Sequence, residues 1–276
     1  MNYKSITAGF FAVLIWSIIP ALVKVGSSSE TLSFFLFGRF IIASILFLPF
    51  LKEILAKTKQ VSKTKWLLLA AVLGGNFYFQ GLAMEAVPTS WYLVVFSLNP
   101  ILTLLFIGSN WSKNLIIALV ICIFGSVLFL KSSEFNVEQN MLVLLYMFLG
   151  MLTWVFYTVI IKGFQKVYND TETTGITQFL SLISVTAIWF YQGFPMRELN
   201  FAELSSVVTL GLTTPLAYFL FSYTLRHTPK FGIISQYLEP MFGVIIGAVF
   251  FNEPLTLASI VGAIAIVAGA VRVERG

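Results

Sequence analysis

Polar residues fall in this chain as short interruptions between long apolar stretches, and the spacing of those interruptions predicts its elements. A membrane-crossing helix needs roughly 20 mostly apolar residues. Ten such runs can be read, at about 6–26, 32–51, 65–84, 89–108, 112–130, 140–161, 174–193, 203–224, 231–251 and 256–272. The loops between them are short, and no water-exposed domain fits anywhere. The expected class is therefore an all-α membrane protein with ten transmembrane helices. The first run resembles a signal peptide in its flanks, but Lys24 at its end and its likeness to a later helix predict that it is retained.

Charge then sets orientation. One set of alternate loops, with both termini, holds Lys4, Lys52, Lys57, Lys59, Lys63, Lys65, Lys113, Lys162, Lys166, Arg226, Lys230, Arg272 and Arg275. The opposite set holds Lys24, Lys131 and Arg197, a count of 13 against 3. The positive-inside rule predicts that both termini are cytoplasmic.

The two halves match. Trp16 and Lys24 recur as Trp154 and Lys162, each shifted by 138. Pro88 before the fourth run and Asn99-Pro100 inside it recur as Pro229 and Glu239-Pro240, shifted by 141 and 140. Gly125-Ser126-Val127 and Gly269-Ala270-Val271 close the halves. Five spans per half is odd, so the second copy must enter the membrane from the opposite face. The expected organisation is two inverted five-helix repeats, 1–132 and 133–276, in one integral membrane domain. Inverted repeats characterise many secondary transporters, whose sites lie near the midplane between the repeats.

Composition narrows the function. The chain is 58% hydrophobic and 11% charged, against about 25% charged for a typical globular protein. Its basic residues lie in short loops rather than on one face, so a nucleic-acid partner is not expected. One histidine, twelve acidic residues and the single Cys122 supply neither metal-binding nor nucleotide-binding spacing. No cofactor is expected. An intramembrane enzyme would need a nucleophile with a base, or metal ligands, at depth, and the sequence offers neither.

Two charges lie inside apolar runs. Counted from Phe231, Glu239 is about 12 Å into a core about 30 Å thick. A carboxyl there is expensive. It reads either as a proton-coupling or substrate-amine site or as a packing acid, and Gln236 shares its face. Arg39 lies about as deep from the other side and is its natural partner. It reads either as a substrate-carboxylate clamp or gate, or as a structural ion pair or carbonyl ligand. Polar and aromatic side chains elsewhere share helix faces: Asn76 with Gln80, Phe96 with Asn99 and Thr103, Trp154 with Tyr157, and Tyr218 with Ser222. Together with Trp16 they predict a cavity for an organic molecule; interhelical hydrogen bonding is the alternative. Tyr3, Trp66, Trp91, Tyr92 and Trp111 read as interfacial belt residues. Pro100 and Pro240 read as hinges, or as breaks that neighbouring helices tolerate. Gly243-x-x-x-Gly247, Ala265-x-x-x-Gly269 and Ala70-x-x-x-Gly74 read as close-packing faces. Rim position accounts for Glu85 and Glu253.

These residues resemble the ten-helix EamA-type members of the drug/metabolite transporter superfamily. The likeness covers the whole chain and rests on Trp16 with Lys24, Arg39, Leu238-Glu239-Pro240, Asn252-Glu253 and the Gly262–Gly269 stretch. The chain departs from the family at Ser17, where glycine is usual, at Pro20, and at Asn99-Pro100 and Asn110-Trp111, where the second half is acidic. The resemblance implies a multi-pass permease of a bacterial-type inner membrane, monomeric or homodimeric, with a central cavity and alternating access. It implies a small-molecule substrate such as an amino acid or related amphiphile, moved outward, with proton coupling as one mode. Uptake and uncoupled exchange are the alternatives.

Overall fold

Apolar chain in lipid must close its own backbone hydrogen bonds, which leaves helix as the local solution. In the computed structural model, residues 3–106, 112–131 and 141–274 are described, and the described residues of each of the ten apolar runs fall mainly on helix. The helices are α1 (Tyr3–Gly26), α2 (Leu32–Ile45), α3 (Leu51–Ala56), α4 (Lys63–Ala86), α5 (Thr89–Phe96), α6 (Asn99–Phe106) and α7 (Lys113–Lys131) in the first half. The second half has α8 (Met141–Phe164), α9 (Asp170–Tyr191), α10 (Phe201–His227), α11 (Pro229–Ile234), α12 (Glu239–Phe251) and α13 (Leu257–Glu274). Asn110, Trp111 and Arg275 lie outside the described residues. Among the described residues, seven helices or jointed helices are long and apolar enough to cross a membrane, eight if one bent pair counts. Two shorter apolar helices lie within α7 and α13.

Three of the runs are jointed rather than straight. The run predicted at 32–51 bends by 59° between Leu32–Ile45 and Leu48–Ala56. Pro49 sits in a one-turn 3-10 helix there, and a proline steers the preceding residue away from helical geometry. The run at 89–108 stops after Phe96 and restarts at Asn99. The run at 231–251 passes through a 3-10 turn, Ser235–Leu238, before α12 begins at Glu239. Asn99-Pro100 and Glu239-Pro240 are thus the first two residues of new helices. Neither proline breaks an existing ladder, because first-turn N–H groups have no intrahelical acceptor.

Helix starts and stops are explicit elsewhere too. Asn169 with Glu172, and Asn200 with Glu203, form reciprocal capping boxes at the starts of α9 and α10. Asn252 ends α12 in the left-handed region, φ 52°, a conformation asparagine tolerates better than most residues.

Packing follows an exchanged pattern. α1 lies along α10, and its counterpart α8 lies along α4. α2 packs on α10 as α9 packs on α4, while α1 meets α12 as α8 meets α6. α2 faces its counterpart α9 and α7 its counterpart α13, while the matching runs 89–108 and 231–251 meet through α5 and α12. The three small-residue faces serve these seams. A methyl on Gly243 would come 2.4 Å from Leu93 Cδ1 across the α5–α12 seam, and one on Gly269 2.5 Å from Cys122 Sγ across α7–α13. Gly74 has Ser184 at 2.8 Å on the same measure, and the Ser184 hydroxyl donates to Ala70 O at 2.7 Å. The outer surfaces of α4, α12 and α13 carry exposed Leu67, Val249, Phe250 and Leu257, as a lipid-facing surface requires.

Candidate functional site

A cavity lies where the two halves meet. α1 contributes Trp16, Ile19, Pro20 and Val23; α2 contributes Leu36 and Arg39; α4 contributes Phe77, Gln80, Gly81 and Met84. From α5 come Tyr92, Leu93 and Phe96, and Asn99 follows at the head of α6. The second half supplies Trp154, Tyr218, Gln236 and Glu239.

Aromatic rings build one wall. Trp16 meets Trp154 edge-on at 5.1 Å between centroids, and also meets Tyr218 at 5.8 Å and Phe221 at 4.9 Å. Tyr157 adjoins Trp154 at 5.2 Å and Tyr218 at 5.6 Å. Trp154 is oriented by donating its Nε1–H to Gln236 Oε1 at 3.0 Å. On the opposite wall Tyr92 stacks on Phe96 at 4.3 Å and donates its hydroxyl to Gln80 Oε1 at 2.8 Å.

The two charges sit apart. Arg39 is 2% exposed. Its Nε and Nη2 both donate to Thr214 Oγ1, at 3.1 and 2.7 Å. Its guanidinium also lies 5.2 and 5.4 Å from the ring centroids of Phe40 and Phe77, a favourable place for a cation. The ion pair expected between Arg39 and Glu239 does not form: the described ion pairs are Lys57–Glu172, Arg197–Glu203 and Arg226–Asp170. Equal depth in the membrane fixed neither azimuth nor separation, and Thr214 supplied Arg39 with a nearer acceptor. Glu239 is the first residue of α12, where a helix N-terminus favours a carboxylate.

Most of the predicted cavity residues do line the space: Trp16, Gln80, Phe96, Asn99, Trp154, Tyr218, Gln236 and Glu239, together with Arg39. The buried Asn99 Oδ1 has no protein partner. Four predicted residues are not in the lining: Asn76, Thr103, Tyr157 and Ser222. Asn76 instead donates to Gly150 O at 3.3 Å and Thr153 Oγ1 at 3.4 Å, joining α4 to α8. Tyr157 lies behind the Trp154 and Tyr218 rings, 3.4 Å from Thr177 Oγ1. Pro100 and Pro240 stand one residue beyond Asn99 and Glu239, outside the lining.

Sequence reasoning missed part of the wall. Trp91 and Tyr92, read as belt residues, are 1% and 2% exposed, and Tyr92 faces the cavity. Its spacing of four from Phe96 was the available signal. Trp16, Ile19 and Val23 likewise share one face of α1, which could have extended the wall. At the rim, Glu253 does more than mark an edge. The left-handed Asn252 turns the chain so that the Glu253 carboxylate accepts from the backbone N–H of Thr89 at 2.7 Å and of Ser90 at 3.2 Å. The Ser90 hydroxyl donates to it as well. Glu85 accepts from the Ser27 hydroxyl at 2.7 Å. Lys24 donates to Val87 O at 3.4 Å and stands 5.4 Å from the Phe251 ring centroid.

Comparison with known proteins agrees with this architecture. The sequence pattern of the EamA-like transporter family matches residues 3–131 and again 141–273. Two WAT1-related proteins of Arabidopsis thaliana are similar over short stretches. One is 34% identical over 67 residues, covering 24% of this chain and 19% of the relative. The other is 26% identical over 113 residues, covering 38% and 32%. The matched stretches thus span a third or less of those relatives. One solved crystal structure superimposes with a TM-score of 0.73 at 18% identity, over 99% of this chain and 96% of the other, a likeness of fold.

Proposed function

The chain belongs to the EamA-like transporter family, and from that premise we propose that it is a secondary transporter of small organic metabolites working by alternating access. Its ten helical runs form ten spans in two inverted repeats, 1–132 and 133–276, with both termini cytoplasmic. The exchanged packing, α1 on α10 and α8 on α4, supports that arrangement. With this topology Val23 and Met84 lie toward the outer ends of α1 and α4, so the cavity belongs to the outward side. The membrane is a bacterial-type inner membrane.

One observation carries the reading: a cavity between the halves brings together aromatic rings, amides, one buried cation and one carboxyl. An amphiphile such as an amino acid fits this chemistry. Its apolar body lies against Trp16, Trp154, Tyr218 and Phe96, its amine meets Glu239, and its carboxylate meets Arg39. Glu239 is the coupling residue and Arg39 the anion contact or gate. Pro100 and Pro240 mark the joints about which half-helices move. Export is the lead direction. Uncoupled exchange is the second reading.

The test begins with a thermal-shift screen of amino acids and related amines on the purified protein, since a substrate stabilises the state it binds. The hit is then followed by counterflow in proteoliposomes with and without a pH gradient. Coupling predicts gradient-driven accumulation that Glu239→Gln abolishes, while counterflow survives only at raised substrate concentration because the carboxylate that meets the amine is lost. Transport indifferent to both the gradient and that substitution would establish the uncoupled reading.

A further inference from the structure

Repeat offsets carry the outer wall of the cavity onto a second set of residues that the cavity does not reach. With Trp16 matched to Trp154, the same offset takes Val23 to Ile161 (23 + 138). The offset of Pro88 to Pro229 takes Met84 to Leu225 (84 + 141), and an intermediate offset takes Arg39 to Gln178 (39 + 139). Val23, Met84 and Arg39 line the cavity; Ile161, Leu225 and Gln178 do not. Ile161 and Leu225 are each 1% exposed, and Gln178 is 0% exposed.

Gln178 is the anomaly among them. Both its Oε1 and its Nε2 are buried without a protein partner. A primary amide in that position forfeits hydrogen bonds that water would supply, and native interiors seldom leave one so. Thr174 and Ser181 stand four residues before it and three after it, on the same face of α9. Their hydroxyls do not bind other helices: Thr174 donates to Asp170 O at 2.8 Å and Ser181 to Thr177 O at 2.6 Å. Thr173 Oγ1 is also unpartnered. Interhelical hydrogen bonding therefore does not account for this polar face. Its link to the cavity runs through Thr177, whose hydroxyl lies 3.4 Å from that of Tyr157, behind the Trp154 and Tyr218 rings.

We infer that the α9 face carrying Thr174, Gln178 and Ser181 lines the substrate path when the cavity opens to the cytoplasm, with Gln178 standing where Arg39 stands in the outward cavity. The inference rests on alternating access by inverted repeats, and it adds a chemical difference between the two states. A substrate carboxylate meets a guanidinium on the outward side and a neutral amide on the inward side. The Gln178 amide can hydrogen-bond that carboxylate but supplies no charge to hold it, so the inward state binds it more weakly.

Side-specific cysteine labelling tests this. Single cysteines are introduced as Thr174→Cys, Gln178→Cys and Ser181→Cys in a Cys122→Ala background. Leu225→Cys, on α10 in the same closed half, reports whether that half opens at all. Each is treated with a membrane-impermeant maleimide in inside-out and right-side-out vesicles. Only variants whose melting temperature stays near that of the background are scored; three positions guard against loss of any one. The expected result is labelling of the α9 cysteines at least tenfold faster from the cytoplasmic side. Labelling of Leu225→Cys from the cytoplasm with all scored α9 cysteines silent would overturn the inference and leave alternating access standing. Silence at every position, or labelling of the α9 cysteines from the outside, would overturn both.

Discussion

Arg39 and Glu239 face one cavity without pairing, because Thr214 Oγ1 takes both the Nε and Nη2 donors of the guanidinium. A cation held by a neutral hydroxyl and two ring faces keeps its charge for something else. A cation neutralised by a carboxylate does not. The arrangement separates the stabilising role of Thr214 from the recognition role proposed for Arg39, and each can be tested alone.

Thr214→Val removes the single acceptor of two buried guanidinium bonds and should cost about 1–3 kcal/mol, read as a lower melting temperature of the purified protein. Arg39→Gln removes the cation itself. Expression within about twofold of the parent and transport reduced roughly tenfold or more are expected, the latter corresponding to about 1.4 kcal/mol. Transport falling only in proportion to protein level would assign Arg39 a structural role.

Tyr92→Phe tests the wall residue that a belt reading hides. The ring stack on Phe96 survives, while the hydrogen bond to Gln80 is lost. Stability should fall by about 1 kcal/mol. The larger effect should be on substrate KM, raised severalfold as the Gln80 amide is freed to turn. An unchanged KM would return Tyr92 to a packing role.

Glu253→Ala should cost about 1–3 kcal/mol by freeing the donors at the start of α5. Gly247→Ala should do similar damage from the other side, since its methyl would stand 2.4 Å from Glu253 Oε2. Both lesions break one tie, so the double variant should melt close to the worse single variant rather than at the sum. Additive losses would mean that the two substitutions act on different contacts.

Pro240→Ala replaces a proline where the helix lacks an acceptor for its N–H, so stability should change by about 1 kcal/mol or less. The joint between the 3-10 turn and α12 could then extend as regular helix, and turnover should fall while KM holds. The same substitution at Pro100 should act in the same direction. Unaltered turnover in both would reduce the joints to static bends.

The helices were legible because burial in lipid leaves its mark on nearly every residue of a run. Of their joints, those at Pro100 and Pro240 were marked by the prolines, and the one after Ile45 was not. Hydropathy reports how apolar a stretch is and says nothing of its direction, so the 59° bend after Ile45 left no trace in it. Side-chain direction was the harder problem. Asn76 and Gln80 are four apart, which leaves them only about 40° apart around the helix axis. That small rotation, with one turn of depth, sends Gln80 to the cavity and Asn76 to the α8 seam. Tyr92 was lost in the same way: position along a run was used where rotation about it decided. Glu239, Gln236 and Trp154 were legible because polar or large groups spaced within apolar helix have few other places to go. Gln178 also stood in plain view, yet its apparent lack of purpose depends on knowing that nothing pairs with it.

Trp16 and Trp154 are repeat counterparts that touch each other, and this sets them apart from most of the wall. When two halves trade conformations, a contact between unlike positions becomes a contact between their counterparts and must be remade. A contact between a residue and its own counterpart is carried onto itself. Under the proposed alternating access the pair at 5.1 Å is thus carried onto itself, with the ring presenting its edge and the ring presenting its face trading roles. It can stay closed throughout the cycle while Val23, Leu36 and Met84 part company with their neighbours. A substrate crossing this protein would slide past one permanent aromatic post, and the rest of its surroundings would change around it.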